Sequence, residues 1–307
     1  MLDRLPTPDS VSVYEVSLRD GLQNEARPVS LDGKRLLLQA LIGSGLRRIE
    51  LTSFVSPRWI PQLADADEFA STAQAPVEVS FSALCPNTKG LERAIAAGLK
   101  EVAVFMSASE THNLKNTNRS IERSLDIFAE LVPLALEHEM KVRAYISTVW
   151  GCPYEGEVPP RQALEIAQRL IELGCYQISL GDTIGVGTPL ATRDIVRMFL
   201  GEFAPKQLAL HLHDTRGTAL ANALTGLDLG IRTFDSSIGG LGGCPYAPGA
   251  AGNLATEDLV FMLEGMGLET GINLEALVEA GQVAETVVGH PLPGKVHQAG
   301  LPKLRPR

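Results

Sequence analysis

The residues best suited to chemistry lie in the stretch 207–216, QLALHLHDTR, where an apolar run leads into two histidines. If this run is a β-strand, successive side chains point to opposite faces, so His211 and His213 share one face and Leu212 takes the other. Two neighbouring imidazoles could bind one divalent metal ion, and they could also be ordinary polar residues at a strand end. Because a single His-x-His pattern has little specificity, other segments must decide between the two interpretations.

A carboxylate that could complete a metal site follows the first apolar run of the chain. Leu18-Arg19-Asp20-Gly21 places a hard oxygen ligand beside a permanently charged guanidinium. By themselves, Arg19 and Asp20 could form a local ion pair of little energetic weight. Two imidazoles and a carboxylate would suit Mg²⁺, Mn²⁺, Zn²⁺ or Co²⁺, with positions left open for substrate oxygens.

A glycine-rich stretch, residues 237–253 (SIGGLGGCPYAPGAAGN), contains six glycines and one cysteine. One interpretation is a phosphate cradle, and another is a mobile lid that closes over a substrate. At the tip of a lid, Cys244 could move in as an acid or base, and its alternative is an inert small apolar residue.

Two further acidic residues stand at the ends of predicted strands. Asp182, in SLGDTIG, could orient a base or hydrogen-bond a substrate, or it could cap the next helix. Glu50 could hold Arg19 or a metal ligand in place, or it could be a structural partner. The remaining histidines lack a partner pattern and are predicted to lie on the surface or in loops: His112, His138, His290 and His297.

The elements that must position these residues alternate along the chain. Eight short β-branched or apolar runs predict strands at residues 12–18, 47–54, 77–85, 101–108, 141–148, 176–182, 207–214 and 233–240. Stretches between them, such as 32–45, 87–98, 120–139 and 159–174, show the three- and four-residue apolar spacing of helices. Eight such units predict a closed (β/α)₈ TIM barrel with extra C-terminal helices, and a doubly wound open sheet is the second choice.

We predict a single domain over residues 1–307, with the barrel at about 11–275 and a C-terminal helix and irregular tail at about 276–307. In a barrel of this kind the active site lies at the C-terminal ends of the strands. Polar and ionisable groups stand at those ends on most strands, which a purely structural barrel would not require: Arg19, Asp20, Glu50, Asp182, His211, His213 and the stretch with Cys244.

Composition excludes several classes of protein. Lys and Arg total 27 against 36 Asp and Glu, a net charge of −9, so a nucleic-acid partner is not expected. No apolar stretch reaches the length of a membrane span, and the N-terminus lacks a signal-peptide or transit-peptide pattern. The four cysteines form no C-x-x-C pair, which favours a cytoplasmic protein with reduced thiols.

These motifs together resemble the hydroxymethylglutaryl-CoA lyase family, within a wider group of metal-dependent barrel enzymes that includes isopropylmalate and homocitrate synthases. LRDG with Gln23, and HLHD, carry the wider resemblance. The lyases in particular are indicated by RDGLQNE (19–25), TSFVSP (52–57), GCPYEG (151–156), SLGDTIGVGTP (179–189) and GLGGCPYAPGAAGNLATED (240–258). The similarity runs from about residue 11 to about residue 275.

The resemblance implies a divalent metal ion, Mg²⁺ or Mn²⁺ above others, and a set of site residues. The implied metal ligands are Asp20, His211, His213 and Asn253. The other implied site residues are the catalytic Arg19, the lid cysteine Cys244, and the acidic Asp182 and Glu50.

The implied reaction is retro-Claisen cleavage of 3-hydroxy-3-methylglutaryl-CoA to acetoacetate and acetyl-CoA, by a homodimer that takes a small acyl-CoA substrate. Arg19 would stabilise the thioester enolate and Cys244 would protonate it. Leu18, Ala26 and Arg216 depart from the usual family residues near the substrate, so a 3-hydroxyacyl-CoA with a longer C3 substituent stays open. A condensing synthase of the same group and a non-catalytic metal-binding barrel are the other two hypotheses.

Overall fold

The computed structural model describes residues 10–74, 76–243 and 252–302, in which eight parallel strands close into a barrel. The strands are β1 Ser12–Glu15, β2 Arg48–Ser53, β3 Ser80–Leu84, β4 Glu101–Ser107, β5 Lys141–Ser147, β6 Gln177–Asp182, β7 Leu208–Leu212 and β8 Thr233–Ser236. Each strand pairs with the next along the chain, and β8 pairs with β1. The predicted (β/α)₈ barrel is confirmed, and the open sheet is excluded because it would leave two unpaired edges.

Helices follow the strands and cover the outside of the barrel. They are α1 Leu31–Gly43, α2 Ala66–Thr72, α3 Thr88–Ala96, α4 Glu110–Thr117, α5 Ile121–Glu137, α6 Pro160–Leu173, α7 Pro189–Leu200, α8 Ala219–Asp228, α9 Thr256–Gly265, α10 Leu274–Val288 and α11 Lys295–Ala299. The last three follow β8, and α11 is a short helix inside the segment predicted as an irregular tail. None of the described helices has the length and apolar character needed to cross a membrane.

Strand β5 shows how the sequence builds the two faces of the barrel wall. Val142, Ala144 and Ile146 are fully buried in the apolar layer between strands and helices. The alternate residues, Arg143 and Tyr145, point into the barrel. Arg143 hydrogen-bonds to a residue of β8, which is not a neighbour of β5 in the sheet, so this contact crosses the interior. The interior of the barrel is therefore partly polar, and polar side chains from different strands can contact each other there.

The first strand ends three residues earlier than predicted, because a π-helical turn, Ser17–Gly21, follows it. The carbonyl of Val16 accepts hydrogen bonds from the backbone N–H groups of Asp20, at 2.7 Å, and Gly21, at 3.2 Å. A side chain at Gly21 would place its Cβ 2.9 Å from the Oγ of Ser237, so only glycine fits this close approach. Single π-turns are frequent at functional sites, and this one carries Arg19 and Asp20 to the C-terminal mouth of the barrel.

The eighth strand also ends earlier than predicted. It stops at Ser236 and is followed by a 3₁₀ turn, Ile238–Gly240, in which Gly239 has φ 61°. That left-handed backbone conformation is one that glycine adopts without strain, so the chain turns out of the sheet here.

Candidate active site

Three side chains, from the π-turn after β1 and from the C-terminal end of β7, meet at the mouth of the barrel. The candidate ligand atoms of Asp20, His211 and His213 all lie within 4.8 Å of one another. Asp20 Oδ2 lies 3.8 Å from Nε2 of His211, and the two imidazole centroids are 5.3 Å apart. The pair of histidines at the end of one strand thus faces a carboxylate delivered by the π-turn after another, although nearly two hundred residues separate them.

Asn253 joins this group from the chain that returns after the glycine-rich stretch. Its Nδ2 donates to Asp20 Oδ2 at 2.9 Å and to the carbonyl of Leu241 at 3.2 Å. His213 and Asn253 also form an isolated β-bridge, which fixes them side by side. With the amide nitrogen engaged as a donor, the amide oxygen is the atom of Asn253 that could bind a cation.

The protonation states in this group suit a divalent cation. Burial lowers the pKa of His213 to about 4, and the neighbouring His211 and Arg19 have smaller effects, so the ring is neutral at physiological pH. Burial alone would raise the pKa of Asp20, but Arg19 and His211 hold it below its usual range. Among the residues that the structure describes, Nδ1 of His213 is buried without a hydrogen-bond partner. An orphaned imidazole nitrogen beside an ionised carboxylate is a donor set that a metal ion fits.

Arg19 lies next to the cluster and is almost fully buried. Its Nε donates to Glu50 Oε2, and its Nη1 donates to Asp20 Oδ1, each at 2.5 Å. Its guanidinium carbon also lies 5.2 Å from the ring centroid of Tyr145. Although burial opposes the charge, Glu50 and Asp20 raise the pKa of Arg19, so the cation is permanent. Glu50 therefore contacts Arg19 directly and is placed to hold its guanidinium in one orientation.

Asp182 lies at the end of β6 with both carboxylate oxygens engaged by the loop that follows. Oδ1 accepts from the backbone N–H of Val186 at 3.0 Å, and Oδ2 accepts from that of Gly187 at 2.9 Å. Burial raises the pKa of Asp182 above its usual value, and these hydrogen bonds oppose the shift. Helix α7 is capped by the side chain of Thr188, so Asp182 organises the loop before the helix rather than the helix itself.

Cys244 and the tip of the glycine-rich stretch lie outside the described residues. The two ends of that stretch are described, and they pack backbone to backbone. A Cβ on Gly252 would lie 2.4 Å from the carbonyl oxygen of Gly242, and a Cβ on Gly242 would lie 2.6 Å from Nδ2 of Asn253. Both ends of the stretch are thus anchored beside the proposed metal ligands.

The sequence-based reasoning missed two residues of the barrel interior, Tyr145 and Asp235. Tyr145 lies edge-on to His211 with ring centroids 5.9 Å apart, and its hydroxyl is buried with no partner in the part of the chain that is described. Asp235 Oδ2 lies 3.3 Å from Nδ1 of His211. Polar or aromatic residues at alternate positions of an otherwise apolar strand, such as Arg143 and Tyr145 in β5, were the signal that could have revealed such groups.

The prediction that His112 lies on the surface or in a loop is wrong. His112 lies on α4 with only 3% of its surface exposed, and its Nδ1 is 2.5 Å from Oγ of Ser107. The reason is that α4 folds back on the end of β4, so a polar helix face is covered by the barrel. His138 and His290 are exposed as predicted. The prediction is also wrong for His297, which lies in the short helix α11 with its side chain only 5% exposed and paired with Glu285.

The model of the HMGL-like family matches residues 10–284. The chain belongs to this family. It is 48% identical over 291 residues to the hydroxymethylglutaryl-CoA lyase YngG of Bacillus subtilis, covering 95% of this chain and 97% of the relative. It is 50% identical over 283 residues to the 3-hydroxy-3-isohexenylglutaryl-CoA/hydroxymethylglutaryl-CoA lyase of Pseudomonas aeruginosa, covering 92% of this chain and 94% of the relative.

Solved structures of the family have the same fold. The crystal structure of the HMG-CoA lyase of Bacillus subtilis is similar with a TM-score of 0.94 at 47% identity, over 96% of this chain and 99% of the other. An HMG-CoA lyase of Acinetobacter baumannii, in complex with coenzyme A and 3-methylmalate, has a TM-score of 0.92 at 40% identity, over 97% and 98% of the two chains. The resemblance drawn from the sequence motifs is confirmed.

Proposed function

We propose that this protein is a divalent-metal-dependent carbon–carbon lyase that cleaves 3-hydroxy-3-methylglutaryl-CoA to acetyl-CoA and acetoacetate. The observation that carries the proposal is the convergence of Asp20, His211 and His213 beside the buried guanidinium of Arg19. Membership of the HMGL-like family and the names of relatives that are 48–50% identical support the same reaction. Such a barrel mouth offers both a cation site and a fixed positive charge for an enolate.

Asp20, His211, His213 and Asn253 would hold the metal ion, with Mg²⁺ or Mn²⁺ as the proposed identity. A divalent ion bound there would chelate oxygens of the substrate and acidify its C3 hydroxyl. The chain's own task is to present ring nitrogens and an ionised carboxylate, and the pKa directions of His213 and Asp20 favour a neutral ring at His213 and a charged carboxylate at Asp20.

Arg19 would stabilise the negative charge that develops when the C2–C3 bond breaks. Cleavage leaves the electron pair on C2, delocalised onto the thioester oxygen as an enolate, and a cation fixed in place before the reaction stabilises that oxygen without reorganisation. Glu50 and Asp20 hold the guanidinium in one orientation, so its remaining N–H groups are available to the substrate.

Two proton transfers complete the reaction. Asp182, or a group of the histidine cluster, would take the proton of the C3 hydroxyl, and the burial that raises the pKa of Asp182 makes it a better base. Cys244 would donate a proton to C2 and so form acetyl-CoA. Closure of the glycine-rich stretch would keep water from protonating the enolate first.

The acyl-CoA partner is supported by the relative from Acinetobacter baumannii, which was solved with coenzyme A. The Pseudomonas aeruginosa relative is named for a substrate with an isohexenyl group as well as for hydroxymethylglutaryl-CoA. We therefore include a longer C3 substituent among the substrates to be tested. A homodimer and a cytoplasmic location remain part of the proposal.

A coupled assay for acetyl-CoA and acetoacetate tests the proposal after chelation and after return of Mg²⁺ or Mn²⁺. We expect cleavage of 3-hydroxy-3-methylglutaryl-CoA that depends on the added metal and is lost in His213→Asn. His138→Asn is the matched control, because His138 is exposed at the end of α5 and should leave turnover unchanged. Release of free CoA from acetyl-CoA mixed with glyoxylate or other 2-oxo acids, without lyase activity, would instead identify a condensing synthase. Absence of both reactions would favour a non-catalytic barrel.

A further inference from the structure

Asp235 lies on β8 directly beside His211 on β7, since the two residues are partners in the strand register. Its side chain is fully buried, and each of its oxygens is engaged. Oδ1 accepts from Nη2 of Arg143 at 2.6 Å, and Oδ2 accepts from Nη1 of the same guanidinium at 3.1 Å. Oδ2 also accepts from the hydroxyl of Ser179 at 2.6 Å and lies 3.3 Å from Nδ1 of His211.

The donors around this carboxylate determine the direction of the contact with His211. Arginine has N–H groups and no acceptor, so the two bonds from Arg143 require acceptor oxygens on Asp235. A carboxylate held by a buried guanidinium is ionised and cannot donate a proton. The only hydrogen bond that His211 can form with it is therefore one in which Nδ1–H donates. In the neutral ring this leaves the lone pair on Nε2, which is the nitrogen that faces Asp20.

We propose that Asp235 is a positioning residue that holds His211 as its Nδ1–H tautomer and so presents the Nε2 lone pair to the metal site. The inference rests on the metal site of the proposed function and adds to it a residue that neither touches substrate nor binds metal. Ligating histidines commonly donate their second nitrogen to a carboxylate, which fixes the tautomer and makes the ligand more basic.

The surroundings of Asp235 are built to keep its carboxylate in one position. Arg143, from β5, is itself fully buried and also bonds Gln177 of β6 through Nε at 3.0 Å. The two hydrogen bonds from Arg143 thus fix both the charge and the orientation of the acceptor. His213 has no such holder: in the described ranges no carboxylate oxygen pairs with its ring, whereas His211 contacts both Asp20 and Asp235. The two histidines are therefore not equivalent ligands.

Nitrogen-15 NMR of histidine-labelled protein tests the tautomer directly, because the chemical shift separates a protonated ring nitrogen from a bare one. We expect a protonated Nδ1 and a bare Nε2 for His211 in metal-free wild-type protein, and the same proton on Nδ1 with Mg²⁺ added. A His211→Asn spectrum assigns the signal. A proton found on Nε2, or two tautomers in exchange, would overturn the proposal without any change to Asp235.

Titration with Mn²⁺, followed by electron paramagnetic resonance, tests the consequence for the metal site. In Asp235→Asn the acceptor loses its charge, and the amide can turn either its oxygen or its NH₂ toward His211, because both positions face a donor of Arg143. His211 is then no longer held in one tautomer. We expect Mn²⁺ affinity to fall by about 10–100-fold. Ser179→Ala is the matched control: it removes a neighbouring hydrogen bond to the same oxygen and should leave the Mn²⁺ affinity near that of wild type.

The possible results separate this inference from the proposed function. Unchanged Mn²⁺ affinity in folded Asp235→Asn would refute the role of Asp235 while leaving the metal site intact. If wild-type protein binds no Mn²⁺, the metal site itself is wrong, and the tautomer spectrum still reports whether Asp235 fixes His211. Asp235→Asn could fail to fold because Arg143 loses its counter-charge. In that case the nitrogen-15 spectrum of wild-type protein decides whether Asp235 fixes the tautomer of His211.

Discussion

Replacement of Arg19 by glutamine should separate the chemistry of the site from its stability. Arg19 is buried between Glu50 and Asp20, and it is the fixed cation that we assign to the enolate. Loss of one preorganised group that stabilises an oxyanion lowers kcat by about 10²–10³-fold, or about 3–4 kcal/mol. We expect Arg19→Gln to show a loss of at least this size, while Mn²⁺ still binds.

The same substitution should also lower the free energy of unfolding. Glu50 is completely buried, and its Oε1 has no partner among the described residues, so Arg19 is the counter-charge on which its ionised form depends. Removing one partner of a buried ion pair costs about 3–5 kcal/mol. Burial already raises the pKa of Glu50, and without the opposing effect of Arg19 the carboxyl should take up a proton more readily.

A double variant distinguishes the two effects. Arg19→Gln with Glu50→Gln replaces the buried ion pair by two neutral amides. We therefore expect the double variant to regain much of the free energy of unfolding that Arg19→Gln loses, as measured in urea. Turnover in the acetyl-CoA assay should stay low, because no cation faces the enolate. Near-normal kcat in the single variant, or recovery of kcat together with stability in the double variant, would refute the assignment of Arg19.

Three further predictions concern other parts of the chain. Cys244→Ser should lose most of its turnover, and wild-type activity should fall on thiol oxidation; indifference to both would make this residue structural. Tyr145→Phe should lower kcat/KM while the unfolding free energy stays close to wild type, since the buried hydroxyl has no protein partner in the described residues; a large loss of stability would contradict this. Burial raises the pKa of Glu257 to about 8, whereas an unfolded glutamate loses its proton near 4.5. Between these values only the native state keeps the proton, so stability should fall by up to about 1.4 kcal/mol per pH unit as pH rises. Urea unfolding of wild type and Glu257→Gln from pH 5 to 9 would show this as a pH-dependent difference, and a constant difference would argue against the raised pKa.

Several features of the protein followed from local sequence. The period of apolar residues predicted eight strand–helix units, because alternation in a strand and three- or four-residue spacing in a helix are properties of neighbouring residues. The place of His211 and His213 on one face of a strand followed from the same alternation. The motifs also indicated the family, which the match over residues 10–284 bears out.

Other features depended on contacts that no local pattern encodes. The bond from Arg143 to Asp235 spans the interior between two strands that are not neighbours, so it exists only because the sheet closes. His112 carries no local sign of burial and is covered because α4 returns to the end of β4. The π-turn after β1 brings Gly21 close to Ser237, more than two hundred residues away in the chain, and no local pattern shows this approach.

The sequence by itself determined the strands, the helices and the kinds of side chain that reach the barrel mouth. Only the tertiary structure decided which of these side chains meet, for example that Asp235 contacts Nδ1 of His211 while, among the described residues, no carboxylate pairs with His213. The physical reason is that a hydrogen bond needs its atoms within about 3 Å in a narrow range of directions. Barrel closure sets those distances between strands far apart in the chain.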